Sequence, residues 1–78
     1  MEVDIEGQVR AELSKKKISH NKAAEGLGMS RTAFENRLST RTDFRVKDLI
    51  KICDMVTLPF SEFARRAEER DYKKGEAA

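Results

Sequence analysis

The stretch SHNKAAEGLGMSRTAFENRL, residues 19–38, constrains the fold more than any other part of the chain. Its apolar residues fall into two short helical sets: Ala23, Ala24 and Leu27, then Ala33, Phe34 and Leu38. Each set follows a serine, Ser19 or Ser30, of the kind that accepts hydrogen bonds from the free N–H groups at a helix start. Between the sets stands Gly28, where a chain leaving a helix often needs positive φ, a conformation glycine adopts without steric cost. Two helices this short and this close must turn and pack on one another. Ala24 is small where they cross, and Leu27, Met29 and Phe34 fill the wedge beneath the turn. The spacing predicts one helix from the Ser19 cap to Leu27, and a second from Arg31 to about Ser39.

The flanking sequence continues the helical pattern. Ile5, Val9 and Leu13 recur every four residues among Glu, Gln and Arg, which predicts an amphipathic helix with Lys15–Lys17 in its last turn. Residues 40–45, TRTDFR, have no helical period and read as a loop anchored by Phe44. Val46, Leu49, Ile50, Cys53 and Val56 then form the clearest i, i+3, i+4, i+7 stripe, with Cys53 as core filler. Pro59 suits the first turn of a last helix that carries Phe60, Phe63, Ala64 and Ala67 on its apolar side. Past Arg70, residues 71–78 have little to bury and are expected to fray. The expectation is an all-α chain of five short helices, with one domain over residues 1–70 and a disordered tail over 71–78. Four glycines and one proline among 78 residues suit that class, and the length leaves no room for a second, sensing domain.

Charge separates the middle of the chain from its flanks. Residues 1–14 hold one Arg against four acids, residues 15–47 hold nine basic residues against three acids, and the remainder holds six against seven. The positive charge therefore brackets residues 19–38, as a footprint for an anionic polymer would. Chemistry is poorly served by comparison. One His and one Cys, with no phosphate-cradling glycine loop, give a weak basis for catalysis, and His20 lacks co-ligands at metal-binding spacing. No enzyme activity, metal, cofactor or small-molecule ligand is expected. No segment approaches the about 20 apolar residues of a membrane span, and the acidic start lacks a signal peptide's basic flank, so a cytoplasmic protein without membrane contact is expected.

Residues 20–39, with Ala24, Leu27, Gly28, Met29 and Phe34 at the spacing given above, resemble the helix-turn-helix of the phage-repressor or Cro-like (Xre family) DNA-binding domains. The layout from about Ile5 to Glu69 resembles the whole lambda-repressor-like domain. Ala23, Arg37 and Leu38 depart from the family, which usually has a larger apolar residue, an apolar residue and an acid there. Ser39-Thr40 stands in place of its Asn-Gly turn, which allows the third helix to be rotated or shifted by up to a residue.

With Phe34 and Leu38 inward, a helical wheel turns Thr32, Glu35, Asn36 and Ser39 outward, with Arg31 at the exposed first turn. These side chains can bond base edges in a major groove: Asn to adenine, Arg to guanine, Glu to cytosine, and Thr against a thymine methyl. The resemblance places recognition in the N-terminal half of the helix, which makes Arg31, Thr32, Glu35 and Asn36 the expected base-reading set. Phosphate contacts are expected from His20, Asn21 and Lys22 at the second helix's cap and from Arg41, Thr42, Arg45 and Lys47 after the third. Arg37 is counted with them, with an ion pair to Glu25 or Asp43 as its alternative.

The expected function is a sequence-specific, double-stranded-DNA-binding transcriptional regulator, either a phage Cro or repressor type or a bacterial Xre-like one. A homodimer would suit palindromic half-sites, and Ile52, Met55, Phe60 and Phe63 are candidates for a dimer patch if they do not simply complete the core. The rival reading is a protein-interaction module on the same fold, an antitoxin or transcription adaptor, which internal ion pairs at Arg37 and Arg41 would favour.

Overall fold

Asp4 opens α1, its carboxylate accepting from the Gly7 N–H at 3.1 Å, and the helix runs Ile5–Lys15. Ser19 and Ser30 act in the same way for α2 (His20–Leu27) and α3 (Arg31–Leu38), each hydroxyl accepting from the third residue on, so both predicted caps are present. At the start of α4 (Val46–Met55) the Asp48 carboxylate reaches back to the Arg45 N–H at 3.3 Å; α5 spans Phe60–Ala77. This computed structural model describes residues 4–77, with side chains described over residues 4–70. Every regular element among them is helical, and none is long and apolar enough to cross a membrane.

The first four helices stop by one device. Lys17, Gly28, Thr40 and Thr57 have φ of 56°, 71°, 66° and 55°. At each, the residue's own N–H donates to the carbonyl three back, and the following N–H donates to the carbonyl five back, as when Gly28 bonds Glu25 and Met29 bonds Ala24. This paired pattern satisfies carbonyls the helix would otherwise leave free, and it turns the chain sharply. Gly28 takes the predicted role, and three L-residues do the same work elsewhere.

The core draws on all five helices: Val9 and Leu13 of α1, Ala23, Ala24 and Leu27 of α2, Phe34 and Leu38 of α3, and Leu49, Ile52 and Cys53 of α4, joined by Val56, Phe63 and Ala67. α1 packs on α3 and α5, α2 on α3 and α4, and α4 on α5. Against the sequence expectation, α4 is rotated. Val46 and Ile50 are exposed, at 62% and 51%, and Ile52 is fully buried. Leu49, Ile52, Cys53 and Val56 form their own i, i+3, i+4, i+7 set, and a ten-residue helix with one packed face buries only one of two overlapping stripes. The same rotation corrects the dimer patch. Ile52 and Phe63 are interior, and Met55 is half-buried over Gly26, where an added Cβ would come within 2.9 Å of its sulfur. Of the four candidates only Phe60 is exposed.

Two polar residues expected on the surface of α1 are buried instead: Gln8 and Glu12, at 3% and 2% exposure. Arg66 and Arg70 of α5 reach across to them, Arg66 donating to Glu12 at 2.9 Å and Arg70 to Gln8 at 3.1 Å. α5 also continues as helix through residues 71–77, DYKKGEA, where a frayed tail is expected. Ala78 lies outside the described residues.

Candidate nucleic-acid interface

α3 is held from three sides. Its Phe34, fully buried, meets His20 edge-on at 5.6 Å between ring centroids and Phe44 at 5.9 Å. That ladder of rings brings the N-terminus of α2, the middle of α3 and the loop of residues 40–45 side by side. The loop is bound back to the helix end by the Arg41 and Thr42 N–H groups, which both donate to the Asn36 carbonyl, at 2.9 and 3.4 Å. From α1, Arg10 donates to the Leu38 carbonyl at 3.3 Å, a cation placed where the helix dipole favours one.

On the outer side, Arg31 and Thr32 are exposed and Glu35 and Asn36 half-buried. Thr32 and Asn36 make no side-chain hydrogen bond among the described residues. Arg31 and Glu35 do interact. Arg31 Nη1 donates to Asn21 Oδ1 at 3.3 Å, Arg31 Nε lies 3.6 Å from Glu35 Oε1, and His20 Nδ1 lies 2.7 Å from the same oxygen. The hydrogen bond from His20 holds the Glu35 carboxyl below its ordinary range, helped by the charges of His20 and Arg31 and opposed by partial burial. An ionised carboxylate only accepts, so in this contact His20 Nδ1 carries a proton and donates. Two expected base readers and two expected phosphate contacts thus form one chain of contacts spanning α2 and α3.

Of the remaining expected phosphate contacts, Lys22, Arg41, Thr42, Arg45 and Lys47 are exposed, and none of the four basic ones has an acidic partner among the described residues. Arg37 is the exception and leaves the set. Its guanidinium turns inward, with 17% of the side chain exposed. Nε is 3.7 Å from Asp48 Oδ2, and Nη1 donates to the Ala33 carbonyl at 3.4 Å and to the Met29 sulfur at 3.6 Å. The partner is neither Glu25 nor Asp43, because Asp48 sits in the first turn of α4, directly beneath α3.

Charges between α1 and α5 are arranged differently. Glu62 accepts from Arg65 at 2.6 Å and from Arg66 at 2.9 Å, Arg65 also reaches Glu69 at 3.0 Å, and Arg66 reaches Glu12. The bonds from Arg65 and Arg66 bring the Glu62 carboxyl down to about 2, and both arginines, with Glu69, Gln8 and Arg70, line an open depression between α1 and α5. No family model, curated protein or solved structure matches the chain. Among the described residues, Lys22, Arg41, Arg45 and Lys47 lack an acid partner around α3, as do the exposed Lys16, Lys17 and Lys51 at the exit of α1 and on α4, whereas Arg65 and Arg66 are paired with acids between α1 and α5.

The sequence missed Asp48, Arg10, Gly26 and the Glu12–Arg66 pair. An acid three residues into a predicted helix is a capping signal that could have found Asp48. The other three depend on which helices pack together, which no local pattern carries.

Proposed function

We propose that the protein is a sequence-specific double-stranded-DNA-binding regulator of the phage-repressor or Cro-like (Xre) kind, with α3 entering the major groove. The observation that carries this reading is the group of exposed, unpaired basic residues around α3. Lys22, Arg41, Arg45 and Lys47 stand exposed and unpaired among the described residues around α3, whereas Arg65 and Arg66 are spent on acids. Thr32 and Asn36 supply uncommitted groups for base edges, and the basic residues supply phosphate contacts that set register. Thr40 supports the same reading: it holds φ of 66° where the family carries the glycine of its Asn-Gly turn, so the chain leaves α3 by a comparable route.

Selection of random duplexes by the purified protein, followed by binding of the enriched site and a scrambled one across a salt series, tests the proposal. A recurrent motif bound with steep salt dependence is the expected result. One observation favours the interaction-module reading, the inward ion pair of Arg37. Absence of duplex binding at low salt would move the assignment there.

A further inference from the structure

Along the outer edge of the α2–α3 pair the contacts run in the order Asn21, Arg31, Glu35, His20, with both ends on α2 and the middle two on α3. Glu35 Oε1 already faces two donors, the Arg31 Nε and the His20 Nδ1. Both contacts fall on one oxygen, so the carboxylate is held at Oε1 and only Oε2 remains without a partner among the described residues. The Arg31 guanidinium has five N–H groups; one donates to Asn21 and Nε faces Glu35, which leaves Nη2 and the second N–H of Nη1 uncommitted. The side chain is 59% exposed at the first turn of α3. A fork of free N–H donors matches the O6 and N7 acceptors of guanine, and bracing the long stem beforehand lowers the rotamer entropy lost on binding.

We propose that Arg31 is a guanine reader held in position by Glu35 and Asn21, and that Glu35 is a positioning residue, not a contact to cytosine. The proposal rests on the duplex-DNA reading above. His20 belongs to the device because its hydrogen bond fixes the carboxylate that faces Arg31. The loss of Glu35 acts through Arg31 alone.

The test measures base preference at every position of the selected site for the wild type, Arg31→Ala, Glu35→Ala, Glu35→Gln and the Arg31→Ala/Glu35→Ala pair, each checked for an intact fold by thermal melting. The wild type is expected to prefer a G·C pair at one position by about tenfold or more. Arg31→Ala abolishes that preference, Glu35→Ala weakens it at the same base pair, and the double variant matches Arg31→Ala. Glu35→Gln, which keeps an oxygen for His20 but loses the charge beside Arg31, falls between the wild type and Glu35→Ala. A preference that Arg31→Ala only halves and the double variant removes would make Glu35 a direct reader and overturn the proposal. So would effects of Arg31 and Glu35 on different base pairs, with the DNA-binding reading left standing. A wild type that binds every duplex equally, or none, overturns both.

Discussion

Arg37 of α3 and Asp48 of α4 face each other beneath the outward row of α3, with Nε 3.7 Å from Oδ2. Asp48 is 4% exposed and also accepts from the Arg45 N–H, so one carboxylate fixes the start of α4 and the seating of α3. Arg37→Ala takes the neighbouring cation away from that buried carboxylate and leaves it only the Arg45 N–H. The expected cost is about 1 to 3 kcal/mol of stability, seen as a lower melting temperature, with the salt dependence of DNA binding by the remaining folded protein unchanged. Arg41→Ala is expected to do the reverse, flattening the slope of log binding constant against log salt by about one unit and leaving the melt in place. A flattened slope for Arg37→Ala would return it to the phosphate-contacting set.

Thr57 and Gly28 perform the same turn with opposite backbone costs. At Gly28 nothing lies within 4 Å of an added Cβ, so Gly28→Ala meets no neighbour and loses only what the left-handed backbone costs an L-residue, about 1 kcal/mol. Thr57 is β-branched at φ of 55°, a conformation such residues rarely adopt. Thr57→Gly is expected to raise stability by up to about 1 kcal/mol, which chemical denaturation would resolve as a higher midpoint at unchanged slope. A lower midpoint would mean that the Thr57 side chain contributes more than its backbone strain costs.

These turns mark how far the fold was legible in the sequence. Ser19, Ser30 and Gly28 announce α2, its end and the start of α3 because each is the residue type the local backbone asks for. Lys17, Thr40 and Thr57 announce nothing, since the left-handed conformation there is imposed by the helices on either side. The stripe of α4 was legible in period but not in phase. Val46 and Ile50 fit the period as well as Ile52 does, and only the packing of α2 and α5 against α4 decides which set is buried. At the candidate site, the wheel turned Thr32 and Asn36 outward from the positions of Phe34 and Leu38 alone. The pairing of Glu35 with Arg31 and His20 joins residues 4 and 15 positions apart, and the longer link depends on how α2 and α3 cross.

Glu12 is buried to 2% and accepts from Gln8 at 2.6 Å and from Arg66 at 2.9 Å. Glu12→Ala strands the amide of Gln8, itself 3% exposed, and the expected loss is about 2 kcal/mol, or a fall in melting temperature of roughly 8 to 16 °C for a domain of this size. Burial and the nearby Glu12 charge both push the Cys53 thiol up in the folded protein. A variant that melts with the wild type would show that the α1–α5 contact is apolar in origin, carried by Val9, Leu13 and Phe63.

Glu62 gives the chain an acid-sensitive element away from α3. Its carboxyl stands at about 2 in the folded protein, against an ordinary value of 4.5, because Arg65 and Arg66 both donate to it. A carboxyl depressed by folding contributes its stability above the ordinary value and loses it as pH falls toward the folded one. The melting temperature of the wild type should therefore exceed that of Glu62→Gln by a constant margin above about pH 5, and the margin should shrink through the range 4.5 to about 2. Because the cluster is open to solvent, the margin is expected to be small and to shrink further with added salt. A margin that persists unchanged at pH 2 would mean that Glu62 acts through packing or helix propensity and not through its charge.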